Sequence, residues 1–167
     1  NPYLNLTNLN AEIQKPDSND LNVLIRKLKS FYEQFIVNNF EKFFQKRDKS
    51  MLDSFKLEIN KKFPGTKQQY FLDYINYKIA DMELMGKLET DAALIEKYFT
   101  NKPILYENVK YMFLFNQLFN QYILTKSVYI KTDSLRRIVS EKPQYTAFIN
   151  LLAKDKILTD TNLRELV

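Results

Sequence analysis

The sequence predicts an all-α protein, an irregular bundle of seven or eight helices with a central, nearly all-round apolar helix at about 107–124. Three observations carry this expectation. The 167 residues include only two glycines, Gly65 and Gly86, against roughly a dozen in an average chain of this length. Hairpin-rich sheets need more, for turns with positive φ. Apolar side chains recur at three- and four-residue steps along most of the chain. Short polar residues able to cap free amides stand ahead of those periodic stretches. At 45% hydrophobic, 14% aromatic and 27% charged residues, the composition is that of a folding chain.

Residues 1–16 carry Pro2 and Pro16 and no helical period, which predicts an extended lead-in before a single helical domain, 17–167. Asp17-Ser18-Asn19-Asp20 offers capping groups. The apolar positions from Leu21 to Phe43 then predict one long amphipathic helix, broken at Asp48-Lys49-Ser50. Leu52, Phe55, Ile59 and Phe63 mark a second helix, which Pro64-Gly65 ends. Phe71, Tyr74, Ile75, Ile79, Met82 and Met85 mark a third, running to near Gly86. Thr90-Asp91 caps a short fourth through Phe99, and Asn101-Lys102-Pro103 turns the chain. The fifth helix is so evenly apolar that burial among other helices is expected. Thr125–Lys131 fits extended or helical structure equally. Thr132-Asp133-Ser134 caps a sixth helix to about Ser140, and Pro143 punctuates. Tyr145–Ala153 forms a seventh, and Asp160-Thr161 opens an eighth.

Chemistry is limited by what is missing. With no Cys and no His, these residues supply no redox thiol, no zinc-finger or haem ligation and no His-dependent nucleophile. Two glycines cannot write either common glycine-rich phosphate cradle. No catalytic residue, cofactor or metal is therefore expected. Asp73, Asp81, Glu83 and Glu89 are concentrated in one region, but Asp73 and Asp81 lie about 12 Å apart in axial rise on one helix. That is too wide for a glycosidase pair, and a solvated acidic face is expected. The longest apolar runs, such as Tyr111–Phe115, are far too short to span a membrane.

The net charge of +5 is uneven, with +4 over residues 41–67 and −3 over 68–100. The basic segment 41–67 interleaves with Phe43, Phe44, Phe55 and Phe63, which makes a nucleic-acid-binding module one alternative. The helical spacing of those phenylalanines suits core packing instead. Arg136 and Arg137, on the first of two short helices, fit a helix-turn-helix only loosely. Tyr70, Tyr74 and Tyr77 share one side of the third helix. They form the candidate interaction surface, either lining a groove for a peptide or ligand or packing in the core with their hydroxyls at the surface.

Three stretches carry a resemblance. The first is Gln69-Tyr70-Phe71-Leu72-Asp73-Tyr74-Ile75-Asn76-Tyr77-Lys78-Ile79-Ala80 followed by Met82-Glu83-Leu84. The second runs from Asn101-Lys102-Pro103-Ile104-Leu105-Tyr106-Glu107-Asn108-Val109-Lys110-Tyr111-Met112 into Phe115-Asn116-Gln117-Leu118-Phe119. The third is the closing Leu158-Thr159-Asp160-Thr161-Asn162-Leu163-Arg164-Glu165-Leu166-Val167. Together they resemble the helical region upstream of the thioredoxin-like domain in bacterial extracytoplasmic proteins of the TlpA-like thiol–disulfide oxidoreductase family. The resemblance covers roughly residues 20–167. It implies a cell-envelope or periplasmic location and a redox domain, with its CxxC motif, after Val167. The start at Asn1 rather than Met and the stop within a helical pattern fit a piece of a longer chain. The expected role is a non-catalytic accessory or interaction domain, with a neighbouring domain or another protein as partner. A peptide- or ligand-binding helical domain is a further alternative.

Overall fold

Side-chain caps set several helix starts. In the computed structural model, which describes Asp17 and residues 19–140 and 145–167, the Asp20 carboxylate accepts from the amides of Asn22 (2.8 Å) and Val23 (3.3 Å) and opens α1, Leu21–Asn38. Asp48 accepts from Ser50 at the start of α2, Ser50–Lys62. After α3, Gln69–Met85, the Thr90 hydroxyl caps α4, Asp91–Tyr98. Asn108 caps α5, Val109–Phe119, through Lys110 (3.1 Å) and Tyr111 (3.2 Å). α6 spans Thr132–Ser140 and α7 Tyr145–Leu152, while Asp160 caps α8, Thr161–Leu166. Each cap satisfies amides that the first turn leaves without partners. There is no strand among the described residues, and the bundle is all-α. The expected lead-in, 1–16, and the punctuating Pro143 lie outside the described residues.

Two helices are shorter than their apolar patterns predict. α1 stops at Asn38, where the Asn39 side chain donates to the Phe35 carbonyl (2.9 Å), and a π-helical turn, Glu41–Gln45, follows. A straight α-helix would leave Phe43 about 80° round from Phe35. The extra residue per turn of the π segment brings Phe43 back to the same face, where it is fully buried. The expected helix at 107–124 likewise ends at Phe119. Gln121 takes a left-handed backbone (φ 60) and a second π turn, Tyr122–Lys126, begins. The bend delivers the Tyr122 hydroxyl to the buried Asp155 carboxylate at 3.1 Å. α5 is also less than fully enclosed, since Val109 and Phe113 are exposed along one edge.

α3 holds the middle position. Its Phe71, Tyr74, Ile79 and Met82 pack with α1 and α2, while its Tyr77 and Ala80 pack with α4, α5 and the C-terminal helices. Gly86 closes α3 with an ordinary φ of −75°, so the left-handed residue there is Lys87 (φ 50). Gly86 lets its neighbours approach closely. A Cβ at that position would stand 3.0 Å from the Phe43 ring and 3.1 Å from the Leu88 side chain.

Candidate functional site

Burial on both sides of α3 decides the fate of its charges. Asp81 is 2% exposed and Glu83 3% exposed, so the solvated acidic face expected from sequence is not formed. These two side chains point into packed neighbours, and each recruits a lysine. Lys78 donates to Asp81 Oδ2 at 3.0 Å, and Lys97 to Glu83 Oε1 at 2.7 Å. The other oxygen of Asp81, Oδ1, is buried without a hydrogen-bond partner among the described residues. Glu89 and Asp73 stay nearer the surface, held by Lys49 (2.7 Å) and Gln69 (2.9 Å).

Lys78 forms the floor of a groove of about 300 Å³ between α1, α3 and α5. α1 contributes Leu28, Lys29, Tyr32 and Glu33, α3 contributes Tyr74 and Lys78, and the first turn of α5 contributes Val109 and Lys110. The helical steps from Leu28 to Tyr32 and from Tyr74 to Lys78 put each pair on one face. The Lys78 ammonium sits 3.4 Å from the centroid of the Tyr32 ring, a close cation–π contact. Burial pulls its pKa below the ordinary lysine value and Asp81 pushes back, while Lys110, standing beside it, lowers it further. Lys110 in turn lies 6.0 Å from the Tyr74 ring and 5.0 Å from that of Phe113.

The three tyrosines singled out by sequence all meet α5, but in three different places. Tyr70 accepts from the Val109 amide (3.4 Å), while its carbonyl accepts from the Asn108 side chain (3.3 Å). It borders a depression with Asp73 and the Ile104–Asn108 turn. Tyr74 lines the α1–α3–α5 groove. Tyr77 is buried, its hydroxyl donating to the Tyr98 carbonyl (3.1 Å) and its ring set edge-on to Tyr111. α5 lies across this face, so no single site gathers all three. Lys78 and Lys110 are the groove residues that the sequence did not flag.

Half of the eight basic side chains of the segment 41–67 are in ion pairs. Lys46 meets Glu41, Lys49 meets Glu89, Lys56 meets Asp53 and Lys61 meets Glu58. Lys62 lies over the Phe31 ring. Lys42, Arg47 and Lys67 make no ion pair among the described residues, and the segment keeps its excess of +4. Among the described residues no group of carboxylates is arranged to hold a metal, and no helix is long and apolar enough to cross a membrane.

Burial pushes the phenols of Tyr32, Tyr77 and Tyr98 up to about 12, with the charges of Asp81, Asp73 and Glu83 respectively adding to the effect. The native state then keeps protons that an unfolded chain releases near the ordinary tyrosine value of about 10. The stabilisation is complete below about pH 10 and is lost as pH climbs towards about 12. Urea unfolding at stepped pH should show stability falling through that window; a flat profile would contradict the burial of these hydroxyls.

Compared with known proteins, the chain matches no family model, no curated protein sequence and no solved structure.

Proposed function

We propose that this chain is a non-catalytic helical interaction domain. Carrying the proposal is an apolar stripe along the open edge of α5 and the turn before it. Tyr106, Val109 and Phe113 follow at three- and four-residue steps and are 67%, 58% and 46% exposed. Large apolar side chains in a row on a surface suit a protein contact. The stripe separates two depressions, one beside Tyr70 and Tyr106 and one beside Tyr74 and Lys110, so a partner lying along α5 has concave surface on both flanks.

The TlpA-like resemblance supplies the partner in this proposal, a thioredoxin-like domain following Val167 in a cell-envelope protein. The three stretches that carry the resemblance touch one another. Asn108 bridges the second to Tyr70 in the first, and the Asn101 amide donates to Asp160 of the third (2.7 Å).

The test is a binding experiment between this domain and the segment encoded after Val167, read by amide chemical shifts. Perturbation centred on Tyr106, Val109 and Phe113, lost in the Val109→Ser/Phe113→Ser variant, is the expected result. Perturbation confined to other faces, or none, would overturn the assignment of this partner to the α5 stripe. A reading frame with no CxxC-bearing domain after Val167 would remove the family placement and, with it, the cell-envelope location and the partner named here.

A further inference from the structure

We infer that the α1–α3–α5 groove receives an acidic peptide segment, one carboxylate of which bridges Lys78 and Lys110 while an adjacent apolar side chain rests on Tyr74, Val109 and Phe113. This rests on the interaction role proposed above and specifies the chemistry of the partner.

The charge count in the groove points this way. Lys29, Lys78 and Lys110 face Glu33 and the underlying Asp81, which leaves one positive charge uncompensated. Lys78 and Lys110 line the same groove, and Asp81 offsets Lys78 alone, so Lys110 forms no ion pair among the described residues and a further carboxylate is favoured beside it. The bond to Asp81 Oδ2 and the close contact with the Tyr32 ring occupy only part of the Lys78 ammonium, which carries three protons. Lys110 extends from the first turn of α5 to the groove, half-buried between the Tyr74 and Phe113 rings.

The ligand is held by side chains and not by the helix end. The Val109 amide is taken by the Tyr70 hydroxyl, and those of Lys110 and Tyr111 by Asn108. What α5 still offers is its positive dipole end, which favours an anion there. The groove volume, about 300 Å³, accommodates one or two side chains, not a folded surface. Val109 lines the groove, and the exposed Phe113 ring lies 5.0 Å from the Lys110 ammonium; together they supply the apolar share of the contact.

The experiment titrates the isotope-labelled protein with the capped peptide acetyl-Glu-Phe-Glu-Leu-Glu-amide, and separately with its Gln-for-Glu counterpart and with sodium phosphate. The acidic peptide is expected to shift the side-chain ammonium signals of Lys78 and Lys110 and the amides of Tyr32 and Val109. Lys110→Gln, and the Gln peptide, should each weaken binding about tenfold. Added salt should weaken it further, since the rim charges are screened. Equal binding of both peptides, or phosphate giving the same shifts at the same concentration, overturns the inference, as does the absence of shifts at Lys78 and Lys110. The two proposals fail separately. If Val109→Ser/Phe113→Ser abolishes contact with the partner domain while Lys110→Gln leaves it intact, the interaction role stands and the carboxylate-bridging inference falls. If the acidic peptide binds as described while the partner domain does not touch the stripe, the inference stands and the partner assignment falls.

Discussion

Asp81→Ala is expected to lower the stability of the protein by about 3–5 kcal/mol, the range for removing one partner of a buried ion pair. The substitution leaves the Lys78 ammonium enclosed by Tyr32, Tyr74 and Lys110 without its counter-charge. The double replacement Lys78→Met/Asp81→Leu removes both charges and keeps the volume, so it should recover most of the loss. Urea unfolding of the two variants beside the wild type measures both effects. A loss below about 1 kcal/mol for the single variant would mean that Lys78 swings out to water. The pH dependence is a second check. Without Asp81, the native pKa of Lys78 drops further, so the native state binds fewer protons than the unfolded chain at alkaline pH. Stability of the variant should therefore recover towards that of the wild type as pH rises from about 7 to about 10. A gap that stays constant would rule out a stranded ammonium as the cause.

Asp155→Ala should be damaging at the other end of the molecule. This carboxylate is buried and accepts from the Tyr122 hydroxyl (3.2 and 3.1 Å), from the Ser127 hydroxyl and from the Ile157 amide (2.9 Å). Ser127 Oγ in turn accepts from the amides of Tyr129 (3.3 Å) and Ile130 (3.1 Å). One side chain therefore ties the segment after α5 to the turn before α8. Its removal orphans one buried donor, the Tyr122 hydroxyl, and two part-buried ones, Ser127 Oγ and the Ile157 amide, at up to about 1–3 kcal/mol each, and a total loss of about 3 kcal/mol is expected with allowance for local rearrangement. Tyr122→Phe, which removes one donor and leaves the acceptor satisfied by the others, should cost about 1 kcal/mol. Thermal melting ranks the two. Equal effects would show that Tyr122, not Asp155, organises this region. Hydrogen exchange should show α6–α8 losing protection in Asp155→Ala ahead of α1–α3.

Much of the architecture was legible because helix signals are local. Asp20, Thr90 and Asp160 cap where short polar side chains precede an apolar period, and Pro64-Gly65, with Gly65 at φ 70, turns the chain after α2. The breaks after Asn38 and Phe119 were not legible, since the apolar steps continue through them. Phe40 and Phe43 in one case, Tyr122 and Ile123 in the other, keep a helical rhythm while the backbone changes pitch. The reasons are tertiary: a ring must reach the core and a hydroxyl must reach Asp155. The groove was hidden for a similar cause. Lys78 and Lys110 look like ordinary solvated lysines in their own segments, and only the packing of α5 on α3 makes them neighbours. Asp81 and Glu83 did carry a signal, because both lie within the otherwise apolar run from Ile79 to Met85. Charges embedded in such a run belong to a helix covered on both sides, where each needs a partner.

That double cover has a consequence for how the molecule comes apart. α3 supplies Phe71 and Met82 to one cluster and Tyr77 and Ala80 to the other, so neither half retains a complete interior once α3 leaves. Residues 21–67 expressed alone would present the apolar faces of α1 and α2 with nothing to close them. The same holds for the segment from α4 onward. The two clusters are thus expected to melt in a single cooperative step. A lesion beside Phe35 would be felt at Phe119, carried through a helix that both regions share and neither can spare.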